Sequence, residues 1–524
     1  MNAGDVLTWA PMRGIRKPRR LWLIAALALA VVLTAPLLLV DVPPVLDYPN
    51  HLARMFVLAH PHDAALSQMY APHWRLVPNL GIDVIGTGLL KLTEVHTGGR
   101  ILLALSLLAP VIGVTLYHRV VFGCASLWPL ASGLVACSAV FLLGFMNFLL
   151  ALGLAFAGAA GWIALRRRVA LYWVAVAGAA TAAATFLCHI FGVALLALLI
   201  VSEEAARLYR LRGAGRPVMH EATRVGGALI VMLAPALLFY LASPLSDTPA
   251  LPGRWRGWDK LLAVMSPFMT TNVDLSMLTL LGFVAFLLLT WRSMAVAPAF
   301  PLSLFTLVVV FLVAPSTIKG GTFVDIRLML MIVLLVFAGS SPRLRHGPAM
   351  LAVSFFVVLI VVRTGHLAWS WTGHRADLAD VRAAIADVAP GTKVLVARGH
   401  RGNDTETTVP TRALPGVYRL DGHLGALLAI ERKAFWPLMF ADPAQQPVEV
   451  RPPYRAIAQS PGEPIDLPVL QGDDREAPSY IRNWRSKFAQ VLLIDPPSPL
   501  PVIDGLSPVH VGTYAVQYRV VPRP

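Results

Sequence analysis

The chain has 524 residues, of which 56% are hydrophobic and 14% are charged, and its mean hydropathy is +0.65. Soluble domains carry roughly 25% charged residues, so the composition excludes a soluble globular protein and indicates an α-helical membrane protein. The net charge of +15 does not indicate a nucleic-acid partner, because no basic patch is interleaved with aromatic residues. Much of the excess positive charge lies in short loops between apolar runs, where basic residues determine membrane topology.

The chain starts with a basic segment, 1–20, and continues into an apolar run at 21–40. That run is too long for a signal-peptide core and has no small-residue cleavage site, so we predict an uncleaved first transmembrane helix. Further runs approach the roughly 20 residues that a helix needs to cross a bilayer. They are 101–117, 128–143, 148–165, 169–187, 190–205, 225–243, 275–291, 297–314, 328–341 and 347–364.

The segment 76–92 is apolar but contains Pro78, Asn79, Asp83 and Lys91. Charged groups are costly at the centre of a bilayer, so we predict an amphipathic, interfacial helix outside the membrane. This choice places 17 Lys and Arg residues in cytoplasmic loops and 9 in outer loops, as the positive-inside rule requires. The sequence therefore predicts about 11 spans, with the N-terminus in the cytoplasm and the C-terminus outside.

From about residue 365 the composition changes, and Pro, Asp and Arg become common. Apolar periodicity predicts helices at 376–388 and 479–488, strands at 393–397 and 491–494, and an edge strand at 513–521. This alternation indicates a small α/β domain on the outer face. The predicted domains are a cytoplasmic segment 1–20, a transmembrane domain 21–364 that includes the first outer loop 41–100, and a periplasmic domain 365–524.

The predicted topology gathers isolated polar residues on the outer face, in the first loop and in three short turns. Convergence of such groups at one end of a helix bundle is typical of a binding or catalytic site. The candidate residues are Asp41, Asp47, His51, Arg54, Asn147, His189, Lys319, Asp325 and Arg327.

The segment around Asp47 is the strongest candidate, because three prolines stiffen the chain there. A carboxylate held beside His51 and Arg54 suits a general base near an anionic group. The alternative is that Asp47 caps the helix that begins near Pro49.

The other turns also have structural alternatives. The alternative for Asn147 is a helix cap, the alternative for His189 is an interfacial histidine, and the alternative for Asp325 and Arg327 is a local ion pair with each other. Arg327 or Lys319 would alternatively bind a phosphate, since guanidinium groups bind phosphate oxygens in pairs.

Several motifs are missing from the sequence, among them a nucleotide-phosphate loop, His-Glu-x-x-His and Cys-x-x-Cys. The three cysteines, Cys124, Cys137 and Cys188, form no metal-thiolate spacing. We therefore expect no cofactor and no metal site. Ion-coupled transporters usually need ionisable groups within their spans, and no charge lies deep within a predicted span.

The whole pattern resembles the GT-C superfamily of integral-membrane glycosyltransferases, which use polyprenyl-phosphate-linked sugars. The resemblance rests on about 11 spans, a long first outer loop with an aspartate just after span one, and an outer C-terminal domain. The chain is similar to uncharacterised bacterial members that begin Pro-x-x-Asp-Tyr-Pro-Asn-His-x-x-Arg, here Pro44 to Arg54. Tyr48 follows Asp47 where many members have a second acid.

The resemblance implies an enzyme of the bacterial inner membrane that moves a sugar from a polyprenyl-phosphate donor to a lipid, glycan or protein acceptor at the periplasmic face. Asp47 is then the expected base of an inverting displacement, with Asp41 second and His51 positioning either the acceptor or Asp47. Arg54, Lys319 and Arg327 are expected to bind the phosphate. The alternatives are a non-catalytic scaffold of an envelope glycan assembly complex and a lipid or polysaccharide translocator.

Overall fold

The computed structural model describes residues 19–247, 253–255, 257–318, 321–400, 409–472 and 477–521. Most of these residues are helical. The α-helices are α1 (Arg19–Thr34), α2 (Tyr48–Ala59), α3 (Leu66–Met69), α4 (Gly81–Leu90), α5 (Val95–Phe122), α6 (Ala139–Leu142), α7 (Met146–Arg166), α8 (Leu171–Cys188), α9 (Ile190–Gly213), α10 (Met219–Ala242), α11 (Gly257–Met265), α12 (Val273–Thr290), α13 (Phe300–Val313), α14 (Val324–Gly339), α15 (His346–Ile385), α16 (Leu427–Arg432), α17 (Leu467–Leu470) and α18 (Trp484–Lys487).

Short strands and 3₁₀ turns connect the helices. The strands are β1 (Tyr70–Pro72), β2 (Met294–Val296), β3 (Ser340–Pro342), β4 (Val394–Arg398), β5 (Val448–Val450), β6 (Ile465–Asp466), β7 (Gln490–Ile494), β8 (Leu506–Val511) and β9 (Ala515–Val520). The 3₁₀ helices are Ala35–Leu38, Trp128–Val135, Trp291–Ser293, Pro410–Arg412, Leu424–Ala426, Tyr454–Ile457 and Ser479–Ile481.

The polytopic helical fold is confirmed. Among the described residues, seven helical segments are long and apolar enough to cross a membrane: Arg20–Leu38, Val95–Phe122, Met146–Arg166, Leu171–Cys188, Met219–Ala242, Val273–Ser293 and His346–Ile385. Three further predicted spans also coincide with helices, α9, α13 and α14. Of these, α13 and α14 have 14 and 16 residues, and α9 carries a charged C-terminal half that includes Glu203 and Glu204.

The predicted span 128–143 is not one α-helix. Its first half is the 3₁₀ helix Trp128–Val135, and α6 follows after a break. Pro129 and Gly133 disfavour a regular helix here. Every residue of this segment is buried, and irregular backbone is tolerated at membrane depth only where protein surrounds it.

The segment 76–92 forms the short helix α4 of 10 residues. Such a helix is about 15 Å long, half of the roughly 30 Å hydrocarbon core. It packs against α2 and the start of α5, which agrees with the prediction that it does not span the bilayer.

The C-terminal region contains a mixed five-stranded sheet with the order β6-β4-β7-β9-β8. The predicted strands at 393–397 and 491–494 correspond to β4 and β7, which are parallel neighbours. The predicted edge strand at 513–521 corresponds to β9, which lies inside the sheet because β8 covers its free side. The predicted helix at 479–488 is wrong: a 3₁₀ turn and α18 occupy it.

One helix joins the membrane domain to the sheet. α15 has 40 residues. It contains the last predicted span and the predicted helix at 376–388 as far as Ile385. The predicted domain boundary at residue 365 thus falls inside a continuous helix.

The first outer loop is fastened to the C-terminal region. β1 pairs with β5 in antiparallel register, Tyr70 opposite Val450. The Tyr70 hydroxyl donates a hydrogen bond to the Trp436 carbonyl at 3.0 Å, and Lys433 forms an ion pair with Asp63 at 2.6 Å. α2 also packs against α16. The end of the bundle that carries α2 and α4 therefore lies directly under the C-terminal region.

Candidate active site

Asp47 lies at the N-terminus of α2, but its carboxylate does not cap the helix. Its backbone N–H donates to the Leu143 carbonyl at 3.2 Å. Gly144 lies so close that a Cβ atom there would be 2.8 Å from the Asp47 Cβ atom, and its φ of +89° also favours glycine. The backbone around Asp47 is thus fixed while the side chain, 20% exposed, remains available for chemistry.

His423, from the C-terminal region, approaches Asp47. Its Nε2 atom is 3.4 Å from the Asp47 Oδ1 atom. Its Nδ1 atom is 3.2 Å from the Asn50 Nδ2 atom. The orientation of the Asn50 amide is determined by its other bonds: Oδ1 accepts from the Phe440 N–H at 2.7 Å, and Nδ2 donates to the Leu438 carbonyl at 3.0 Å.

These bonds determine the tautomer of His423. Since Asn50 presents N–H to the ring, the Nδ1 atom of His423 accepts and the Nε2 atom of the neutral ring carries the proton. The Nε2–H group therefore faces the Asp47 carboxylate. This arrangement leaves the second carboxylate oxygen of Asp47 for a substrate.

His51 lies beside this pair, because its ring and that of His423 both contact Phe440 edge-on, with centroids 5.4 and 5.2 Å away. Arg54 Nη2 donates to its Nδ1 atom at 3.0 Å. Burial, and then the charge of Arg54, hold the pKa of His51 well below its usual value. A neutral His51 with its proton on Nε2 offers one hydrogen-bond donor.

Arg54 is not a free cation. Its Nε and Nη2 atoms donate to the two carboxylate oxygens of Asp83 at 2.7 and 3.0 Å, and both side chains are buried. The Arg54 guanidinium is therefore already used in an ion pair that joins α2 to α4, and its bond to His51 orients that ring. A phosphate would have to compete with Asp83 for it.

Removing Arg54 should destabilise the protein strongly. Arg54→Ala leaves the Asp83 carboxylate, 0% exposed, without a counter-ion, and breaking a buried pair costs about 3–5 kcal/mol. Thermal unfolding of the detergent-solubilised protein measures the loss. Arg455→Ala, which removes a largely exposed partner of Glu449, should cost at most about 1 kcal/mol. The double change Arg54→Met with Asp83→Leu should recover most of the loss, and an equally unstable double variant would argue against the ion-pair explanation.

Arg327 forms the cationic side of the site. Its guanidinium lies over the Phe145 ring at 4.3 Å and over the Phe148 ring at 5.9 Å. Its Nη1 atom donates to the Thr322 carbonyl at 2.8 Å, and its Nε atom is buried without a partner among the described residues. Burial lowers the pKa of Arg327 to about 10, and the negative charge of Asp47 opposes this effect only in part.

His189 is the neighbour of Arg327 on the other side. It contacts Phe148 edge-on at 5.3 Å, and its Nδ1 atom accepts from the Phe191 N–H at 3.1 Å. Burial, and then the charge of Arg327, hold the pKa of His189 well below its usual value. Neutral His189 therefore carries its proton on Nε2.

Two other predicted residues, Asn147 and Asp41, are bonded to neighbouring groups outside the cluster around Asp47 and Arg327. Asn147 accepts from the Ile82 N–H and donates to the Asn79 carbonyl, at 2.9 and 2.7 Å, so it caps α4 and holds the loop before it. Asp41 lies in a surface network, 3.1 Å from Arg382 and 3.9 Å from Arg100.

Asp325 and Arg327 do not pair with each other, because Asp325 pairs with Lys260 and Arg327 points toward Phe145. The two side chains leave the start of α14 in different directions. Lys319 lies outside the described residues.

The structure thus brings together Asp47, His51, His189 and Arg327, and adds Asn50 and His423. His423 was missed by the sequence analysis, because the stretch Leu420-Asp-Gly-His423 matches no motif. It lies 373 residues from Asn50, and only tertiary contact brings the two together.

A second polar cluster lies after the parallel strands β4 and β7. Ligand atoms of His400, Asp421 and Asp495 lie within 4.8 Å of one another. However, Asp421 and Asp495 accept hydrogen bonds from Arg419, each at 2.7 Å. Arg412 also donates to Asp495 at 2.8 Å. These guanidinium groups supply the positive charge that a metal ion would supply in this cluster. The expectation that the chain has no metal site remains a prediction.

No family profile and no curated protein matches the sequence. Among solved structures, the chain is similar to ArnT from Cupriavidus metallidurans bound to undecaprenyl phosphate, with 14% identity over 96% of this chain and 98% of that chain and a TM-score of 0.50. The apo state of ArnT gives 15% identity over 95% and 98%, with a TM-score of 0.49. The likeness to ArnT confirms the GT-C-like fold that the sequence predicts.

Proposed function

We propose that this chain, which has a GT-C-like fold, is a membrane glycosyltransferase that moves a sugar from a polyprenyl-phosphate donor to an acceptor at the periplasmic face of the bacterial inner membrane. The observation that carries the proposal is that the Asp47 carboxylate is oriented by His423, while Arg327 nearby has no direct ion pair with a carboxylate of any described residue. A base and a phosphate-binding group are the two requirements of this displacement.

The proposed reaction is a single displacement. The acceptor hydroxyl attacks the anomeric carbon and passes its proton to the free oxygen of Asp47. The bond from that carbon to the lipid phosphate breaks, and the phosphate leaves with the bonding electrons. Arg327 and the Nε2–H group of His189 then stabilise the departing anion, and the anomeric configuration inverts.

The lipid carrier is supported by the ArnT structure, since that protein binds undecaprenyl phosphate. A polyprenyl chain needs an apolar path to the site. The site lies at the ends of apolar helices, and Leu237, Leu238 and Leu241 are exposed near the C-terminal end of α10. These side chains would give a lipid an apolar approach from the bilayer.

A reconstitution assay tests the proposal. Purified protein is placed in vesicles with undecaprenyl-phosphate-linked hexoses and pentoses and an envelope extract as the source of acceptor. Loss of sugar from the lipid, dependent on both protein and extract, is the expected result. Sugar lipid that crosses the vesicle membrane intact would indicate a translocator instead, and sugar lipid that neither moves nor reacts would favour a scaffold.

His423 should act as a positioning residue for Asp47. His423→Ala should lower kcat about tenfold to a hundredfold, because misplacing a reacting group by about 1 Å has an effect of that size. KM for the sugar lipid should change little. His423→Gln retains an N–H group near Asp47 and should recover part of kcat, and Asn50→Leu should reproduce part of the loss.

A matched control exists in the same region. The His510 Nε2 atom also lies 3.4 Å from an aspartate oxygen, of Asp380. His510→Ala should leave kcat unchanged. If both histidine variants lowered kcat equally, a general loss of folding would explain the effect and the positioning role would be rejected.

A further inference from the structure

A cavity of about 170 Å³ lies between α11, the loop that precedes α14 and the C-terminal region. Its volume is close to that of a cavity that holds one benzene molecule, about 150 Å³, so it has room for one six-membered ring. Most of its walls are apolar. The lining residues are Ala139, Leu143, Asp259, Leu262, Ser266, Met269, Ser316, Thr317, Thr322, Phe323, Asp325, Ile326, Val417 and Tyr418.

Asp325 lines this cavity, and one of its carboxylate oxygens has no hydrogen-bond partner among the described residues. Lys260 is bonded to the other carboxylate oxygen: its Nζ atom donates to Asp325 Oδ1, and to the carbonyls of Phe311 and Ala314 at 2.6 and 2.5 Å. All three ammonium hydrogens are thereby used. The Oδ2 atom of Asp325 is buried and accepts no hydrogen bond from any described residue.

Ser316 provides a second unused polar atom. Its side chain is 7% exposed, and its Oγ atom is buried with no partner among the described residues. In contrast, the Ser266 hydroxyl in the same wall donates to the Ala263 carbonyl at 2.7 Å. Because buried polar groups are normally paired, two unpaired ones lining one cavity indicate a ligand that both donates and accepts hydrogen bonds.

The cavity adjoins the candidate active site. The Phe323 ring, which lines it, contacts the Phe145 ring beneath Arg327 at 6.0 Å. Leu143, in the opposite wall, accepts the backbone hydrogen bond of Asp47. A ligand in the cavity is therefore separated by single residues from the proposed base and the proposed phosphate-binding group.

We propose that this cavity holds a sugar ring during transfer, with one hydroxyl donating to Asp325 Oδ2 and another bonded to Ser316 Oγ. The inference rests on the proposed function and deepens it. A sugar ring fits because it combines hydroxyl groups with C–H faces that pack against apolar side chains. A phosphate does not fit, because Asp259 and Asp325 make the lining acidic.

Filling the cavity tests the proposal. Val417 is a half-buried residue that lines the cavity. In the Val417→Trp variant, the indole ring is expected to fill the cavity. Val502→Trp, at a position that is 97% exposed in the same region, is the matched control. Ser316→Ala removes one hydroxyl at little cost to folding. Each protein is titrated with undecaprenyl phosphate, with undecaprenyl-phosphate hexoses and pentoses, and with octyl glycosides of the same sugars.

The three probes separate the sources of the sugar. Val417→Trp should weaken binding of one sugar-bearing probe at least about tenfold, and Ser316→Ala about three- to tenfold, with undecaprenyl phosphate unaffected. Weaker binding of the sugar lipids assigns the cavity to the donor ring, and weaker binding of octyl glycosides alone assigns it to the acceptor ring. Unchanged binding of every sugar probe overturns the proposal. Failure of the wild-type protein to bind undecaprenyl phosphate would contradict the proposed function instead.

Discussion

Replacing Asp47 by Asn should lower the rate of sugar transfer about 10²- to 10⁴-fold, the range expected when a general base is removed. The substitution keeps the shape of the side chain and removes only its ability to accept a proton. Folding should be unaffected, because the carboxylate makes no helix-capping bond and the backbone contacts with Leu143 and Gly144 remain. Single-turnover transfer from an undecaprenyl-phosphate sugar measures the effect directly.

The competing acid provides the control. Asp41 is about half exposed, and its carboxylate is engaged with Arg382, whose charge and hydrogen bond hold the pKa of Asp41 below its usual value. Asp41→Asn should therefore change transfer little. A normal rate in the Asp47→Asn variant together with a large loss in the Asp41→Asn variant would move the base to Asp41 and reject the assignment made here.

The helical framework was predictable from the sequence because hydrophobic runs and basic loops reflect a single requirement, the transfer of helices into lipid. Hydropathy gave the wrong structure where an apolar segment is surrounded by protein and not by lipid. The segment 128–143 reads as a span, but a fully buried segment can break into a 3₁₀ turn. Likewise, the composition changes at residue 365, but α15 continues without a break to Ile385.

The sequence pointed to polar turns at one end of the bundle, but it did not indicate what each side chain contacts there. A polar residue in a short turn serves either a ligand or the fold, and the sequence does not distinguish them without the partner. Asn147 caps α4, and Arg54 is committed to Asp83. Arg327 keeps its charge free of a direct carboxylate partner among the described residues. His423 illustrates the remaining gap, because nothing local to it indicates Asp47.

Replacing Arg327 by Ala should weaken binding of undecaprenyl phosphate about 10- to 100-fold, because charge-assisted hydrogen bonds contribute about 1.5–3 kcal/mol each. Transfer should fall further, by about 10²- to 10³-fold in kcat, since the phosphate gains charge as it leaves. Arg327→Lys should recover binding only in part, because an ammonium lacks the planar fork and stacks less well on Phe145. Equilibrium binding and single-turnover transfer measure the two effects separately.

Arg375 is the matched control, because it is an exposed arginine whose guanidinium also donates to a backbone carbonyl, that of Leu39. Arg375→Ala should leave binding and transfer unchanged. The Asp47→Asn variant completes the comparison: removing a negative charge near Arg327 should leave undecaprenyl phosphate binding equal or tighter, even though transfer is lost. Weaker binding in both the Asp47 and the Arg327 variants would mean that the two residues form a structural ion pair, and that neither the base nor the phosphate site lies here.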